Sequence, residues 1–197
     1  MDVGLWAARI ERSLTEREES AMLRLLPESR RQRLLRVQKS EKRAEVLCAY
    51  TVLHLALRER YGWRTIPEMT VSSMGKPRFL EYSGVHFNIS HTAGAVLVGL
   101  SDEPVGVDIE RIRPVSERAM RRIAGVESEK AFFQSWVRRE ALAKRAGAGI
   151  GMLMGETVLR DGEEFFFVDT FDGYAAGVAV GRGTIIGKVH RYFLDDL

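Results

Sequence analysis

Two carboxylates stand two positions apart in the segment Gly-Val-Asp-Ile-Glu, where they are Asp108 and Glu110. On a β-strand, side chains at positions i and i+2 lie on the same face. Neighbouring carboxylates repel each other unless a cation lies between them, and carboxylate oxygens are ligands that Mg²⁺ prefers. The pair therefore indicates either a magnesium site or a strand with a solvated acidic face, and the spacing alone favours the acidic face.

A second pair, Glu140 and Lys144, stands four positions apart near Trp136. On a helix these three residues share one stripe, so a carboxylate and an ammonium could project together toward a charged reaction. The alternative is a plain surface ion pair, which stabilises a helix by about 0.2–0.5 kcal/mol. The spacing alone favours the ion pair.

Weaker signals for phosphate binding accompany these pairs. Ser90 and His91 end the segment Asn-Ile-Ser-His and could donate hydrogen bonds to a phosphate, although a turn with a solvated histidine is the simpler interpretation. Lys76 lies in a Gly-Lys-Pro turn that lacks the spacing of a P-loop. Residues 30–43 include seven basic side chains and one acid, which indicates either a solvated helix face or a patch for a phosphate or an acidic protein.

Composition excludes several classes of protein. Of the 197 residues, 45% are hydrophobic and 29% charged, as in an ordinary globular protein. One cysteine and four histidines exclude a disulfide framework and most zinc sites. The net charge of +3 is too small for an obligate nucleic-acid-binding protein. Apolar runs are shorter than the roughly 20 residues that cross a bilayer, and the N-terminal segment becomes charged too early for a signal peptide. We therefore expect a cytoplasmic protein that binds neither nucleic acid nor membranes.

Hydrophobic patterning predicts both helices and strands, in an order that repeats once. Helices are predicted from a capping box at residues 15–18 to about residue 26, over 30–39, over 40–62 and over 116–146. Strands are predicted over 3–10, 85–89, 95–100 and 105–109, and Asp-Gly pairs at 161–162 and 172–173 indicate hairpins. The halves meet near residues 102–105, and the repeated order hints at a pseudo-twofold molecule.

In this order and spacing, the motifs resemble those of the 4′-phosphopantetheinyl transferases of the surfactin type. The motifs are Gly75-Lys-Pro, Phe87-Asn-Ile-Ser-His91, Gly106-Val-Asp-Ile-Glu110 and Trp136-x-x-Arg-Glu-x-x-x-Lys144, followed by Gly147-Ala-Gly149-Ile150. The resemblance covers nearly the whole chain. It implies an α+β fold of two similar lobes, each a small antiparallel sheet packed with helices, with the active site between them. The corresponding lobes here are residues 1–103 and 104–197.

The resemblance also implies a reaction. A Mg²⁺-dependent transferase of this type moves the 4′-phosphopantetheine arm of coenzyme A to a serine hydroxyl of an apo acyl or peptidyl carrier protein. The products are the holo-carrier and adenosine 3′,5′-bisphosphate. Because both lobes are in one chain, we expect a monomer. The alternative is a module that binds coenzyme A or the carrier without catalysis, which the presence of the complete motif set disfavours.

Carried over residue by residue, the resemblance implies three sets of site residues. The expected metal ligands are Asp108, Glu110 and Glu140. The expected catalytic residues are Glu140, as general base on the carrier serine, Lys144, which neutralises the α-phosphate and protonates the leaving group, and His91. The expected contacts to coenzyme A come from Arg43, Lys76, Ser90, His91, Asp108 and Lys144, with Arg43 on the 3′-phosphate.

Two departures from the family pattern concern basic residues. Position 139 is arginine where the family usually has lysine, so the charge is kept. Ser29 and Gln32 stand where lysines are expected, and the nearby Arg30 and Arg33 are candidates to replace them.

Overall fold

The computed structural model describes residues 1–37, 40–147 and 159–197. It confirms an α+β protein with small antiparallel sheets packed with helices. The strands are β1 (Asp2–Arg9), β2 (Met69–Val71), β3 (Pro77–Phe79), β4 (His86–Thr92), β5 (Ala95–Ser101), β6 (Gly106–Arg111), β7 (Glu163–Phe167), β8 (Tyr174–Gly181) and β9 (Ile185–Phe193). The helices are α1 (Glu16–Leu25), α2 (Glu28–Leu34), α3 (Ser40–Tyr61), α4 (Glu117–Ala119) and α5 (Glu129–Ala146).

Two sheets stack face to face between helices α3 and α5. The first sheet has the strand order β4-β5-β1-β9, and the second has the order β6-β8-β7. Along β1, Trp6 and Ala8 pack with α3, whereas Leu5 and Ala7 pack against the second sheet. Successive side chains of β1 therefore lie on opposite faces of the first sheet. Both faces are covered, and every residue of β5 is buried.

The second sheet has one face toward the first sheet and the other toward α5. Val107 and Ile109 of β6 join the core between the sheets. Ala141 and Leu142 of α5 instead pack with Ala179 of β8 on the opposite face. Residues that alternate with Val107 and Ile109 on β6 therefore lie toward α5, and these include Asp108 and Glu110.

Local signals for helix ends are mostly confirmed. At α1, Thr15 Oγ1 accepts a hydrogen bond from Glu18 N at 3.3 Å, and the Glu18 carboxylate accepts one from Thr15 N at 2.7 Å, which completes the predicted capping box. Helix α5 ends where predicted, at Gly147, which has φ +65°. In the described ranges, no helix has the length and apolar character needed to span a membrane.

The prediction of one helix over 116–146 was wrong. Helix α4 continues into a π-turn at Met120–Ala124 and ends at Gly125, which has φ +65°. A new helix, α5, begins after Ser128, whose hydroxyl accepts a hydrogen bond from Ala131 N. The left-handed glycine and the new serine cap divide the segment into two helices.

The C-terminal region, for which the sequence left a strand and an extended tail as alternatives, forms a strand. Strand β9 lies parallel to β1, at the edge of the first sheet. The turn at 172–173 joins the antiparallel neighbours β7 and β8, as its Asp-Gly pair indicated.

Two parts of the predictions lie outside the described residues. They are residues 38–39, at the end of the predicted basic helix, and Gly149-Ile150. The pseudo-twofold relation between the lobes stays a prediction.

Candidate active site

Three of the predicted motifs meet where α5 crosses the second sheet. Lys144 Nζ donates hydrogen bonds to Asp108 Oδ1 at 2.6 Å and to Ser90 Oγ at 3.0 Å. Ser90 Oγ in turn donates to Asp108 Oδ1 at 2.7 Å. Glu140 Oε2 lies 3.8 Å from Lys144 Nζ. A carboxylate, a hydroxyl and an ammonium from β6, β4 and α5 therefore form one cluster beside a second carboxylate.

The edge of β6 is held by side chains of β4 instead of by a strand ladder. Asn88 Oδ1 accepts a hydrogen bond from Val107 N at 2.8 Å, and Ser90 Oγ accepts one from Ile109 N at 3.3 Å. Because backbone N–H groups inside a protein need partners, these two side chains fix the register of β4 on β6. Asn88 was not among the predicted site residues, although its spacing of two from Ser90 places both on one face of the strand.

Gly106 allows β6 to approach the backbone of α5. A Cβ atom at Gly106 would lie 2.0 Å from Ala141 O and 2.4 Å from Arg145 N. Any larger residue at this position could be accommodated only if β6 moved away from α5. The glycine therefore sets the distance at which Lys144, on that helix, reaches Asp108, on that strand.

The electrostatics of this cluster suit a cation. Asp108 is 3% exposed, and its Oδ2 atom is buried without a hydrogen-bond partner. Burial raises the pKa of Glu140 above its usual range, and the negative charges of Asp108 and Glu110 raise it further against the opposing effect of Lys144. An unpartnered carboxylate oxygen near two more carboxylates fits the hard oxygen ligands of Mg²⁺.

The described residues do not form a closed metal cage. Among them, no group of three His, Cys, Asp or Glu side chains is arranged to hold a metal ion. The positive charge beside Asp108 is the ammonium of Lys144. Glu110, the third predicted ligand, accepts hydrogen bonds from Thr92 Oγ1 at 3.2 Å and from Arg113 Nη1 at 3.2 Å. The sequence contained no signal for these two partners, which come from outside the motifs.

Ser90 and His91 lie on opposite faces of β4, although both were predicted to bind phosphate. Ser90 joins the cluster around Asp108, whereas His91 Nδ1 lies 3.1 Å from Glu45 Oε2 of α3. The reason is the alternation of side chains along a strand. Arg43, also on α3, forms an ion pair with Glu19 of α1. These two predicted phosphate ligands thus belong to the α3 side of the first sheet.

Lys76 contacts backbone rather than other predicted site residues. Its Nζ donates hydrogen bonds to Val105 O at 3.0 Å and to Arg145 O at 3.2 Å. Burial lowers the pKa of Lys76 to about 8, and the nearby Arg145 guanidinium contributes to the decrease. Lys76 also lines a cavity of about 550 Å³ together with Tyr82 and His86.

The lowered pKa of Lys76 predicts a pH-dependent stability. The ordinary value is 10.5, so between about pH 8 and that value the unfolded chain binds more protons than the folded chain. The free energy of unfolding should therefore rise with pH in this window, relative to the Lys76→Met variant. Urea denaturation of both proteins should show a relative gain of roughly 1–2 kcal/mol between about pH 7.5 and about pH 9.5. Parallel pH profiles would show that the ammonium is not desolvated.

The polar side chains at the two departures on α2 form local hydrogen bonds. Ser29 Oγ donates to Glu68, and Gln32 donates to Glu28, so neither takes the place of a lysine. Arg30 has a buried Nη2 atom without a hydrogen-bond partner.

Comparison with known proteins supports the family resemblance. No protein-family model matches the chain. The chain is 22% identical over 193 residues to a 4′-phosphopantetheinyl transferase of Bacillus subtilis, covering 85% of this chain and 86% of that protein. It is 21% identical over 161 residues to the 4′-phosphopantetheinyl transferase Sfp of Bacillus subtilis (strain 168), covering 75% and 72%. It is 36% identical over 97 residues to the 4′-phosphopantetheinyl transferase AcpT of Salmonella typhi, covering 42% and 50%. The resemblance drawn from the motifs is therefore confirmed, and the chain is similar over most of its length to 4′-phosphopantetheinyl transferases.

Proposed function

We propose that this protein transfers the 4′-phosphopantetheine arm of coenzyme A to a serine hydroxyl of an apo acyl or peptidyl carrier protein. The products are the holo-carrier and adenosine 3′,5′-bisphosphate. The observation that carries the proposal is the convergence of Asp108, Ser90 and Lys144 from three motifs in a chain similar to such transferases.

In this proposal, Asp108, Glu110 and Glu140 hold Mg²⁺. When bound, the ion supplies positive charge to the pyrophosphate oxygens of coenzyme A as the phosphoanhydride bond breaks. The unpartnered Oδ2 atom of Asp108 and the raised pKa of Glu140 support this assignment. The first feature leaves an oxygen of Asp108 without a partner, and the second reflects the burial of Glu140 near the carboxylates of Asp108 and Glu110.

Glu140 is the proposed general base. The carrier serine Oγ attacks the phosphorus next to the pantetheine arm, its proton passes to Glu140, and the bond to the α-phosphate breaks. A carboxylate with a raised pKa is a better proton acceptor near neutral pH than an ordinary one. Lys144, next to Asp108, neutralises the α-phosphate and returns a proton to the leaving bisphosphate. His91 contributes to catalysis through the phosphates that it binds.

The phosphates of coenzyme A are proposed to bind donors from both sides of the first sheet. Ser90 donates from the cluster around Asp108, and Lys76 has one ammonium N–H left after its two carbonyl contacts. On the α3 side, His91 keeps Nε2 for a ligand because Glu45 engages Nδ1. Arg43 binds the 3′-phosphate, and Arg30 adds its unpartnered Nη2.

We further propose that residues 1–103 and 104–197 act as one fused catalytic unit. Strand β4 of the first part and β6 and α5 of the second part all contribute to the cluster, and β9 returns to the first sheet. In this proposal the protein works as a cytoplasmic monomer, and its partners are coenzyme A and a carrier protein rather than nucleic acid or a membrane. Its mild positive charge favours encounter with an acidic carrier.

Intact-protein mass spectrometry tests the reaction. The protein, Mg²⁺ and coenzyme A are mixed with a panel of apo carrier proteins, and one carrier should gain the mass of one phosphopantetheine. EDTA and the Glu140→Gln variant should each abolish the gain. This variant should stay folded because the raised pKa shows that the charge of Glu140 destabilises the folded chain. Glu127→Gln, an exposed site just before α5, is the matched control and should retain activity.

Two other outcomes would contradict the proposal. Absence of a mass gain on every carrier, together with measurable binding of coenzyme A, would indicate the non-catalytic binding module. Absence of both transfer and binding would show that the family similarity does not extend to function.

A further inference from the structure

We infer that Lys76 is a positioning residue, whose ammonium ties the beginning of β6 to the end of α5 and thereby holds Lys144 at Asp108. The inference rests on the proposed function, because its consequence is the placement of a catalytic lysine. It concerns the main role of Lys76, beyond any contact with a phosphate.

The two acceptors of Lys76 flank the cluster in the sequence. Val105, whose carbonyl accepts at 3.0 Å, precedes β6, and Arg145, whose carbonyl accepts at 3.2 Å, directly follows Lys144. The last carbonyls of a helix have no partner within it and carry partial negative charge. A side chain that donates to such a carbonyl and to the carbonyl just before β6 therefore links the two elements.

The segment that carries Lys76 is itself anchored. Lys76 N donates to Ser72 Oγ at 3.1 Å, and Ser72 N donates to Lys76 O at 2.9 Å. Gly75 has φ +85°, a left-handed conformation that favours glycine, and the ring of Pro77 restricts the backbone on the other side. The ammonium thus extends from a constrained turn.

The tie acts where β6 and α5 are already in closest contact. Gly106 lies against the backbone of Ala141 and Arg145, so a small shift of the last turn of α5 changes the strand–helix distance. The Arg145 guanidinium bonds to Glu163 at 2.7 Å and holds the same turn from the side of β7. Lys144 directly precedes Arg145, whose carbonyl and guanidinium form these two contacts, and its Nζ donates to Asp108 Oδ1 at 2.6 Å.

A positioning role and a phosphate-binding role predict different kinetics. If Lys76 mainly bound coenzyme A, its removal would raise KM for coenzyme A and leave kcat nearly unchanged. If it positions Lys144, its removal lowers kcat, because the displaced ammonium stabilises the transition state less well. Misplacement of a catalytic group by about 1 Å can reduce the rate by roughly 100-fold.

The test compares Lys76→Met with Arg78→Met. Arg78 is exposed on the same hairpin, so its substitution removes the same charge without the two carbonyl contacts. For Lys76→Met we expect kcat to fall by about 10- to 100-fold and KM for coenzyme A to change by less than about 3-fold. Hydrogen exchange should accelerate in peptides covering residues 140–147. Arg78→Met should behave as the unmodified protein in both assays, and Lys76→Arg, which keeps the donors, should partly restore the slow exchange.

An increase in KM at constant kcat, or unchanged exchange in Lys76→Met, would overturn the inference. If Lys76→Met does not fold, Lys76→Arg decides the question: a partial loss of protection over residues 140–147 with a parallel decrease in kcat supports the tie. Loss of activity with full protection overturns it. Because exchange is measured without substrate, it remains decisive even if the unmodified protein transfers nothing, which would contradict only the proposed function.

Discussion

Replacing Lys144 with methionine is expected to abolish phosphopantetheine transfer and to lower the free energy of unfolding by about 3 kcal/mol. The ammonium is hydrogen-bonded to Asp108 Oδ1 at 2.6 Å, and the Asp108 side chain is 4% exposed. Without Lys144, a buried carboxylate that already has one unpartnered oxygen would lose its counterion. The α-phosphate of coenzyme A would lose its neutralising group as well. Urea denaturation at neutral pH and mass spectrometry of the carrier measure the two effects.

A double variant separates stability from activity. In Lys144→Met combined with Asp108→Asn, no buried charge is left without a partner, so most of the lost stability should return. Transfer should stay absent, since both groups belong to the proposed site. The double-mutant cycle should therefore show a coupling energy of at least about 1 kcal/mol. A Lys144→Met protein as stable as the unmodified chain, or one that still modifies a carrier, would contradict the described ion pair or its role.

Replacing Gly106 with alanine is expected to destabilise the protein by about 3 kcal/mol or more and to abolish transfer. The new methyl group would lie 2.0 Å from Ala141 O and 2.4 Å from Arg145 N. These atoms belong to the helix backbone, so the clash can be relieved only by separating α5 from β6. Separation would also break the short contact from Lys144 to Asp108.

Gly84→Ala is the matched control for this substitution. A Cβ atom at Gly84 meets nothing within 4 Å, and Gly84 is not among the glycines with positive φ. Its free energy of unfolding should therefore change by no more than about 0.5 kcal/mol. Thermal unfolding and the carrier assay on both variants check the prediction. Unchanged stability in Gly106→Ala would show that the strand and the helix are not in direct contact.

Short-range features of this protein could be predicted from its sequence. The capping box at Thr15, the end of α5 at Gly147 and the common face of Asp108 and Glu110 each depend on residues within four positions of one another. The motifs also indicated the similarity to 4′-phosphopantetheinyl transferases that the comparisons confirm. The division of the predicted helix 116–146 was missed although Gly125 and Ser128 are residue types that end and begin helices.

Long-range placement was decided by the tertiary structure alone. Strand β9 lies beside β1 at the opposite end of the chain, and the polarity of its residues does not reveal that pairing. Ser90 and His91 are adjacent and were expected to act together, yet strand alternation directs them to different sides of a sheet whose two faces are both covered. Lys76 donates to the carbonyls of Val105 and Arg145, contacts that its sequence neighbours do not indicate, and its contact with a phosphate stays a prediction.

The residue types that could do chemistry were therefore determined by the sequence, and their mutual geometry by the packing of α5 on β6. Lys144 lies 36 positions from Asp108 and 54 from Ser90. No local propensity acts over such separations. The three side chains meet because Gly106 allows the backbones of β6 and α5 to come together. Val107 and Ile109 are buried between the two sheets, so Asp108 lies on the opposite face of β6, toward α5.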